Sequence, residues 1–154
     1  MIVRKLMSSL GAGMILAMAE PAFADEKARE VEAFMADYLK LWNAGDAKTI
    51  TEKYYRFDRP NPWQQQAGLQ AEFDRLKGQG YSHSDTTGLD SCLISRTEAM
   101  TELRYSRMKT DGAAMPPKDR ATLYFARKFP DGWRITNFIP MSPTANLNCK
   151  SSTE

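Results

Sequence analysis

The chain has 154 residues, of which 42% are hydrophobic, 9 are glycine and 8 are proline. This composition is typical of a globular domain and excludes a disordered or collagen-like chain. Its 21 Lys and Arg residues nearly balance 19 Asp and Glu residues, which gives a formal net charge of +2. The basic residues alternate with acidic ones and form no cluster of the kind that nucleic-acid binding requires. We therefore expect one globular domain and no nucleic-acid partner.

The N-terminal residues, 1–24, have the pattern of a secretory signal peptide. Arg4 and Lys5 precede an apolar stretch over residues 6–19, and small residues occupy the positions that cleavage after Ala24 requires. The apolar stretch is shorter than the roughly 20 residues that a membrane-spanning helix needs, so we expect no permanent membrane span. The sequence predicts an exported protein, which lies in the periplasm if the cell has two membranes.

The two cysteines are Cys92, in a strand-like run, and Cys149, in the C-terminal tail. An exported protein meets an oxidising environment, in which disulfides persist. We therefore predict a disulfide between these two residues, which would stabilise the fold by about 4 kcal/mol on the chain-entropy model. The alternative is two separate thiols, with Cys92 packed as a small core residue.

The first half of the mature chain has helical periodicity. Over residues 25–44, apolar side chains recur at spacings of three and four while charged side chains fill the opposite side, which predicts an amphipathic helix. Asp46 stands where a second helix, running to about residue 55, needs a side-chain acceptor for its free amides. The proline-containing segment 59–62 separates it from a third helix over residues 67–77.

After residue 81 the pattern changes to alternating, β-branched and aromatic residues, which favour strands. The run Phe-Pro-Asp-Gly-Trp over residues 129–133 is typical of a tight hairpin turn, so the last two strands should pair antiparallel. Helices followed by strands indicate an α+β domain in which the helices cover one face of an antiparallel sheet. We predict strands near residues 82–95, 98–109, 120–129 and 133–140.

The order of elements, the runs over residues 99–105 and 121–127, and the hairpin Asp-Gly-Trp-Arg-Ile over 131–135 resemble the NTF2-like (SnoaL-like) superfamily. This resemblance implies a cone of three N-terminal helices on a curved antiparallel sheet of about four strands, often dimeric through the outer face of the sheet. The chain departs from the pattern at residues 55–66, which are too few and too proline-rich for the β-hairpin that members usually carry there. The fold alone assigns no function.

The last hairpin offers polar candidates for a ligand site. If Phe129 and Trp133 face each other across the turn, then Phe125, Arg127 and Asn137 point to the helix-covered face. Buried polar side chains there need a partner or a ligand, the alternatives being an internal ion pair or a position at the open rim of the cone. The predicted ligand-binding residues are Tyr54, Trp63, Tyr105, Phe125, Arg127 and Asn137.

Catalytic candidates are few. His83 is the only histidine and shares one side of its strand with Asp85, so it is either a general base oriented by that carboxylate or an exposed strand-end residue. Tyr105 is the third candidate, as a donor to a developing oxyanion. A single histidine without a cysteine or carboxylate cluster at ligand spacing predicts no metal, and the sequence carries no motif for any other cofactor.

Residues 25–142 are therefore predicted to form a cofactor-free domain that binds a small apolar ligand or a protein partner at the mouth of its cone. Residues 143–154 form a polar tail, which we expect to be docked only by Cys149. A second hypothesis is an acid/base isomerase, cyclase or hydrolase working in the same cavity. A third is a non-catalytic homodimer, motivated by an outer sheet face that would present Tyr124, Ala126, Thr136 and Phe138.

Overall fold

The computed structural model describes residues 20–147. Most of the predicted signal peptide, the end of the polar tail and Cys149 lie outside the described residues. Within the described part of the chain, no helix combines the length and the apolar character needed to cross a membrane.

The predicted order of helices and strands is confirmed. Asp46 caps the second helix as expected, since its Oδ1 accepts a hydrogen bond of 2.9 Å from the backbone N of Thr49. The preceding Gly45 has φ +69°, a left-handed conformation that glycine adopts without strain and that ends the first helix. The elements are α1 (Glu20–Ala44), α2 (Ala47–Lys53), a 3₁₀ helix (Pro62–Gln64), α3 (Gln66–Gly78), β1 (Tyr81–Leu93), β2 (Glu98–Lys109), β3 (Arg120–Phe129) and β4 (Gly132–Met141).

The four strands form one antiparallel sheet in the order β1-β2-β3-β4, and α1 packs across β1 and β2 on one face. Irregularities interrupt the pairing of β1 with β2 and the pairing of β3 with β4. Such bulges bend a strand and increase its twist, so the sheet curves around the helices to make the cone. The buried core lies between them and includes Val31, Met35, Tyr38, Leu69, Phe73, Leu103 and Ile135.

The segment after α2 runs alongside β4. The backbone N of Arg56 donates to the carbonyl of Ile135 at 3.0 Å, and that of Asp58 donates to the carbonyl of Thr136 at 3.1 Å. Residues 55–58 thus extend the hydrogen bonding of β4 as a single short parallel segment. This matches the expectation that the region is too short for a hairpin.

The predicted register of the last hairpin is wrong by one residue next to the turn. Lys128 pairs with Trp133 and Phe129 with Gly132, which leaves a two-residue turn. Gly132 has φ +120°, a conformation open to glycine, and closing the turn there buries Trp133, which is 4% exposed.

The irregularity after Phe125 restores the predicted pairing of Phe125 with Asn137, so the slip affects only the residues next to the turn. The predicted buried face is nevertheless wrong, because Tyr124 and Ala126 are the buried side chains of β3. The predicted ligand residues Phe125, Arg127 and Asn137 therefore lie on the outer face of the sheet.

The same exchange of faces overturns the motivation for the homodimer hypothesis. Tyr124 and Ala126 are buried in the core, and Phe138 packs against it. Thr136 is 5% exposed. None of the four is an exposed residue of the outer face.

The tail is held by more than a cysteine, which corrects the expectation that only Cys149 docks it. Arg104 donates hydrogen bonds to the carbonyls of Pro143 and Ala145. The buried carboxylate of Glu102 accepts a hydrogen bond of 2.7 Å from the backbone N of Leu147. Residues 142–147 therefore cross the outer face of the sheet over β2.

Candidate functional site

A cavity of about 370 Å³ lies between the inner face of the sheet, the C-terminal half of α1 and the 3₁₀ helix. Small-molecule sites commonly have volumes of about 300–1,000 Å³ and apolar walls. The walls of this cavity include Trp42, Trp63, Leu103, Tyr105, Tyr124 and Phe138.

Ring contacts hold the aromatic wall together. The Trp63 ring stacks on Phe138 with a centroid distance of 5.1 Å, and it contacts Trp42 at 5.6 Å. The 3₁₀ helix positions Trp63, because the side chain of Asn61 caps its backbone N at 2.9 Å. Gly68 then allows α3 to pass close to this helix, since a Cβ there would lie 2.0 Å from the carbonyl oxygen of Pro62. One side of the cavity is thus built from residues distant from the sheet in sequence.

Three buried phenols lie at the inner end of the cavity. The hydroxyls of Tyr38 and Tyr55 are 2.9 Å apart, and the edge of the Tyr38 ring meets the Tyr124 ring at a centroid distance of 5.7 Å. Burial raises the pKa of all three phenols well above the ordinary value of 10.0. They remain neutral around pH 7, so Tyr124, which lines the cavity, and the hydrogen-bonded pair behind it add no charge to this end.

Two arginines, Arg107 and Arg120, also line the cavity. Each has a buried Nε without a hydrogen-bond partner among the described residues, and leaving such a donor unpaired costs about 1–3 kcal/mol. Burial, together with the nearby charge of Arg107, lowers the pKa of Arg120 from its ordinary value of 12.5. Both guanidinium groups nevertheless stay charged near pH 7. Asp119 adds one carboxylate to the same lining.

Two of the predicted ligand residues, Trp63 and Tyr105, line the cavity. Tyr54 does not, because its ring stacks on Phe34 at a centroid distance of 4.9 Å. Arg107 and Arg120 were not among the residues predicted from the sequence. Arg107 follows Tyr105 by two residues on β2, so the alternation of that strand was the signal that placed both side chains on one face.

The other predicted residues lie elsewhere. Phe125, Arg127 and Asn137 border a separate depression of about 210 Å³ on the outer face. There Arg127 forms ion pairs with Asp58 at 3.1 Å and Glu98 at 3.4 Å. Arg127 thus has carboxylate partners, but the ion pairs are partly exposed on the outer face and are not the internal pair that was the alternative for a buried Arg127.

The two acid/base candidates lie together but outside the cavity. Nε2 of His83 is 3.2 Å from Oδ1 of Asp85, and their side chains are 46% and 57% exposed. Solvent surrounds this pair, so it faces no enclosed substrate site. Among residues 20–147, no group of three His, Cys, Asp or Glu side chains converges to hold a metal ion.

Residues 27–143 match a family model described as NTF2-like protein (DUF6841). No curated protein matches the sequence at a significant level.

Several solved structures share the fold at low sequence identity. An NTF2-like protein with a cystatin-like fold from Novosphingobium aromaticivorans is 15% identical, with a TM-score of 0.55 over 90% of this chain and 99% of its own. A domain of unknown function from Nostoc punctiforme is 15% identical, with a TM-score of 0.53 over 80% of each chain. A ketosteroid isomerase-like protein from Erwinia carotovora atroseptica is 16% identical, with a TM-score of 0.51 over 77% of this chain and 99% of its own.

Proposed function

The chain belongs to the NTF2-like family DUF6841, and from this premise we propose that the protein binds a small, largely apolar molecule in the cavity of its cone. The observation that carries the proposal is the cavity of about 370 Å³ with walls of Trp42, Trp63, Tyr105 and Phe138. Aromatic rings offer large apolar contact areas with little side-chain entropy to lose. A ligand of matching size would remove these walls from water at about 25 cal/mol per Å² of apolar surface.

The cavity also limits the chemistry. Polar groups on its lining include the hydroxyls of Thr122 and Tyr105, which are 3.4 Å apart, and the neutral phenol of Tyr124. A few polar groups on an apolar wall orient a ligand without requiring a reaction. The acid/base hypothesis loses both of its proposed bases, since His83 and Asp85 face solvent, and keeps only Tyr105, which lines the cavity.

Thermal unfolding with a panel of neutral aromatic compounds tests the binding proposal. We expect naphthol and naphthamide to raise the Tm of the wild-type protein. Trp63→Ala should abolish the shift because it removes a wall of the cavity, whereas Ile94→Ala, at a side chain that is 53% exposed, should leave it intact. If no compound of the panel changes the Tm of the wild-type protein, the proposal is refuted, and this outcome depends on no variant.

Export is a further part of this proposal. The core contacts of α1 come from Val31, Met35, Tyr38 and Trp42. Cleavage after Ala24 would therefore leave the buried face of the helix in place. Mass analysis of the protein from the periplasmic fraction should find a chain that begins at Asp25. Intact chain confined to the cytoplasm would contradict export while leaving ligand binding unaffected.

A further inference from the structure

We propose that the natural ligand is a carboxylic acid with an apolar body, and that Arg107 and Arg120 hold its carboxylate while the aromatic wall holds the body. This inference rests on the proposed function, since it names the chemical class of molecule that enters the same cavity. The aromatic wall indicates only that the ligand is apolar, whereas the two arginines indicate that it also carries a negative charge.

Strand pairing brings the two arginines together. Arg120, the first residue of β3, is paired with Tyr105 of β2, and Arg107 follows Tyr105 two residues later. Side chains at this spacing share one face of a strand. The Arg107 guanidinium lies 6.0 Å from the centre of the Tyr105 ring, so both cations border the polar end of an aromatic surface.

The donors of these arginines are incompletely used. Nη2 of Arg120 donates to the carbonyl of Pro116 at 2.7 Å, but its Nε and that of Arg107 have no acceptor among the described residues. The planar fork of a guanidinium matches the two oxygens of a carboxylate. Both Nε atoms are buried, so an anion in the cavity would meet the Nη groups instead. Of these, only Nη2 of Arg120 donates a hydrogen bond within residues 20–147, so an anion would supply acceptors for the others.

Other arginines of the sheet contrast with this pair. Arg104, Arg127 and Arg134 each form an ion pair with a carboxylate of the chain. Within residues 20–147, neither Arg107 nor Arg120 forms a salt bridge. Burial first, and the like charge of Arg107 second, lower the pKa of Arg120. An anion between the two side chains would oppose both effects, because it favours the charged guanidinium groups.

The balance of charge points to a monoanion. Asp119 belongs to the same lining, so two cations and one carboxylate leave a net formal charge of one positive unit. A carboxylate neutralises this charge, whereas a phosphate dianion would exceed it. The ligand therefore carries a single negative charge, and the aromatic wall favours an apolar body of a size that the cavity accepts.

Calorimetric titration of the wild-type protein with naphthoate and with naphthamide separates charge from shape, because the two molecules have nearly the same volume. We expect naphthoate to bind at least about tenfold more tightly, since charge-assisted hydrogen bonds are roughly twice as strong as neutral ones. Raising the salt concentration should narrow this difference. The comparison requires no variant and so does not depend on how a variant folds.

Variants then locate the charge. Arg107→Gln and Arg120→Gln should each reduce naphthoate affinity toward that of naphthamide and leave naphthamide binding unchanged. Lys118→Gln removes the same charge from an exposed residue near Arg120 that does not line the cavity, and it should change neither affinity.

Equal wild-type affinities for the two probes would overturn the carboxylate assignment and leave the proposed function standing. Arginine variants that keep the full preference for naphthoate would overturn it as well. Binding of neither probe would overturn the assignment, and a Tm that is also unchanged by every neutral compound of the panel would refute the proposed function as well.

Discussion

Glu30 shows how one carboxylate on α1 fixes the helix to the sheet. Its Oε1 accepts a hydrogen bond of 2.6 Å from Nζ of Lys128 on β3, and its Oε2 accepts one of 2.8 Å from Nζ of Lys27. The hydrogen bond from Lys128, followed by that from Lys27, lowers the pKa of Glu30 from 4.5 to about 2. The contact between Glu30 and Lys128 joins segments that are far apart in sequence, so the helical pattern alone gave no sign of it.

This pKa leads to a prediction about acid stability. A carboxyl whose pKa is lower in the folded state contributes stability above its unfolded pKa and loses it as the pH falls toward the folded value. The stability contributed by Glu30 is therefore lost as the pH falls from 4.5 to about 2. We expect Glu30→Gln to lower the urea midpoint near pH 7, with a difference from wild type that shrinks over this pH range.

Glu32→Gln is the matched control for the acid-stability measurement, because Glu32 is a half-buried carboxyl on the same helix that forms no ion pair within residues 20–147. It should leave the urea midpoint nearly unchanged near pH 7. If the urea midpoint of Glu30→Gln equals that of the wild type at every pH, the contact between Glu30 and Lys128 contributes nothing to stability. The effect should be modest, since the side chains of Glu30 and Lys128 are 36% and 31% exposed.

At the scale of elements, the contact between α3 and the 3₁₀ helix depends on Gly68. Glycine within a helix costs up to about 1 kcal/mol relative to alanine, so propensity alone predicts that Gly68→Ala stabilises α3. The structure predicts the opposite, because the added Cβ would lie 2.0 Å from the carbonyl oxygen of Pro62. Separation of the two helices would also displace Trp63 from the wall of the cavity.

We expect Gly68→Ala to destabilise the protein by about 1–3 kcal/mol, the usual cost of forcing extra volume into a packed contact. Denaturant unfolding measures this change. Gly78→Ala, at the end of the same helix, is the control, since a Cβ there meets nothing within 4 Å. It should be neutral or slightly stabilising. Equal effects of the two substitutions would show that the close approach has no energetic importance.

The docked tail gives the disulfide prediction a structural setting. Sγ of Cys92 lies 3.7 Å from the carbonyl oxygen of Leu147, so the described tail ends against Cys92 two residues before Cys149. The pairing itself stays a prediction because Cys149 lies outside the described residues. No sequence pattern indicated the path of the tail across β2, where Arg104 and Glu102 hold it by hydrogen bonds.

A disulfide would make Cys92→Ser, Cys149→Ser and the double variant equally destabilised, by up to about 4 kcal/mol relative to the oxidised wild type. Adding reductant to the wild type should reproduce this loss and leave the variants unchanged. Denaturant unfolding and intact mass after alkylation measure both effects. Two alkylatable thiols in unreduced protein, or additive effects of the two substitutions, would contradict the pairing.

At the scale of the whole molecule, the two faces of the sheet have different environments. The inner face carries the core and the cavity, while the tail covers part of the outer face over β2. On β3 and β4 the paired residues Leu123 and Ile139 remain on the outer face, and Ile139 is 44% exposed. The homodimer stays a prediction, and its interface would now involve these residues in place of the four first considered.

We expect light scattering to give the mass of a dimer for the mature protein at micromolar concentration. Ile139→Lys should shift it to a monomer, because the substitution places a charge within the predicted apolar interface. Ala71→Lys, on an exposed position of α3, should leave the dimer intact. A monomeric wild-type protein would contradict the prediction and leave the ligand proposals untouched.

The sequence by itself determined the kind and the order of the elements. Spacings of three and four residues, an acceptor at Asp46 and the alternation after residue 81 are local signals, and each leads to the observed helix, cap or strand. Trp63 and Tyr105 were also identified as pocket residues from their type and position. Local patterns sufficed because backbone geometry sets the period of a helix or strand within a few residues.

Only the tertiary structure decided which side chains meet. Both faces of β3 carry apolar residues, Leu123 and Phe125 on one and Tyr124 and Ala126 on the other, so alternation alone could not choose the buried face. Burial of the neighbouring strand against the helices made that choice. Arg107 and Arg120 likewise become neighbours only when β2 pairs with β3, because such contacts depend on a register that no single segment encodes.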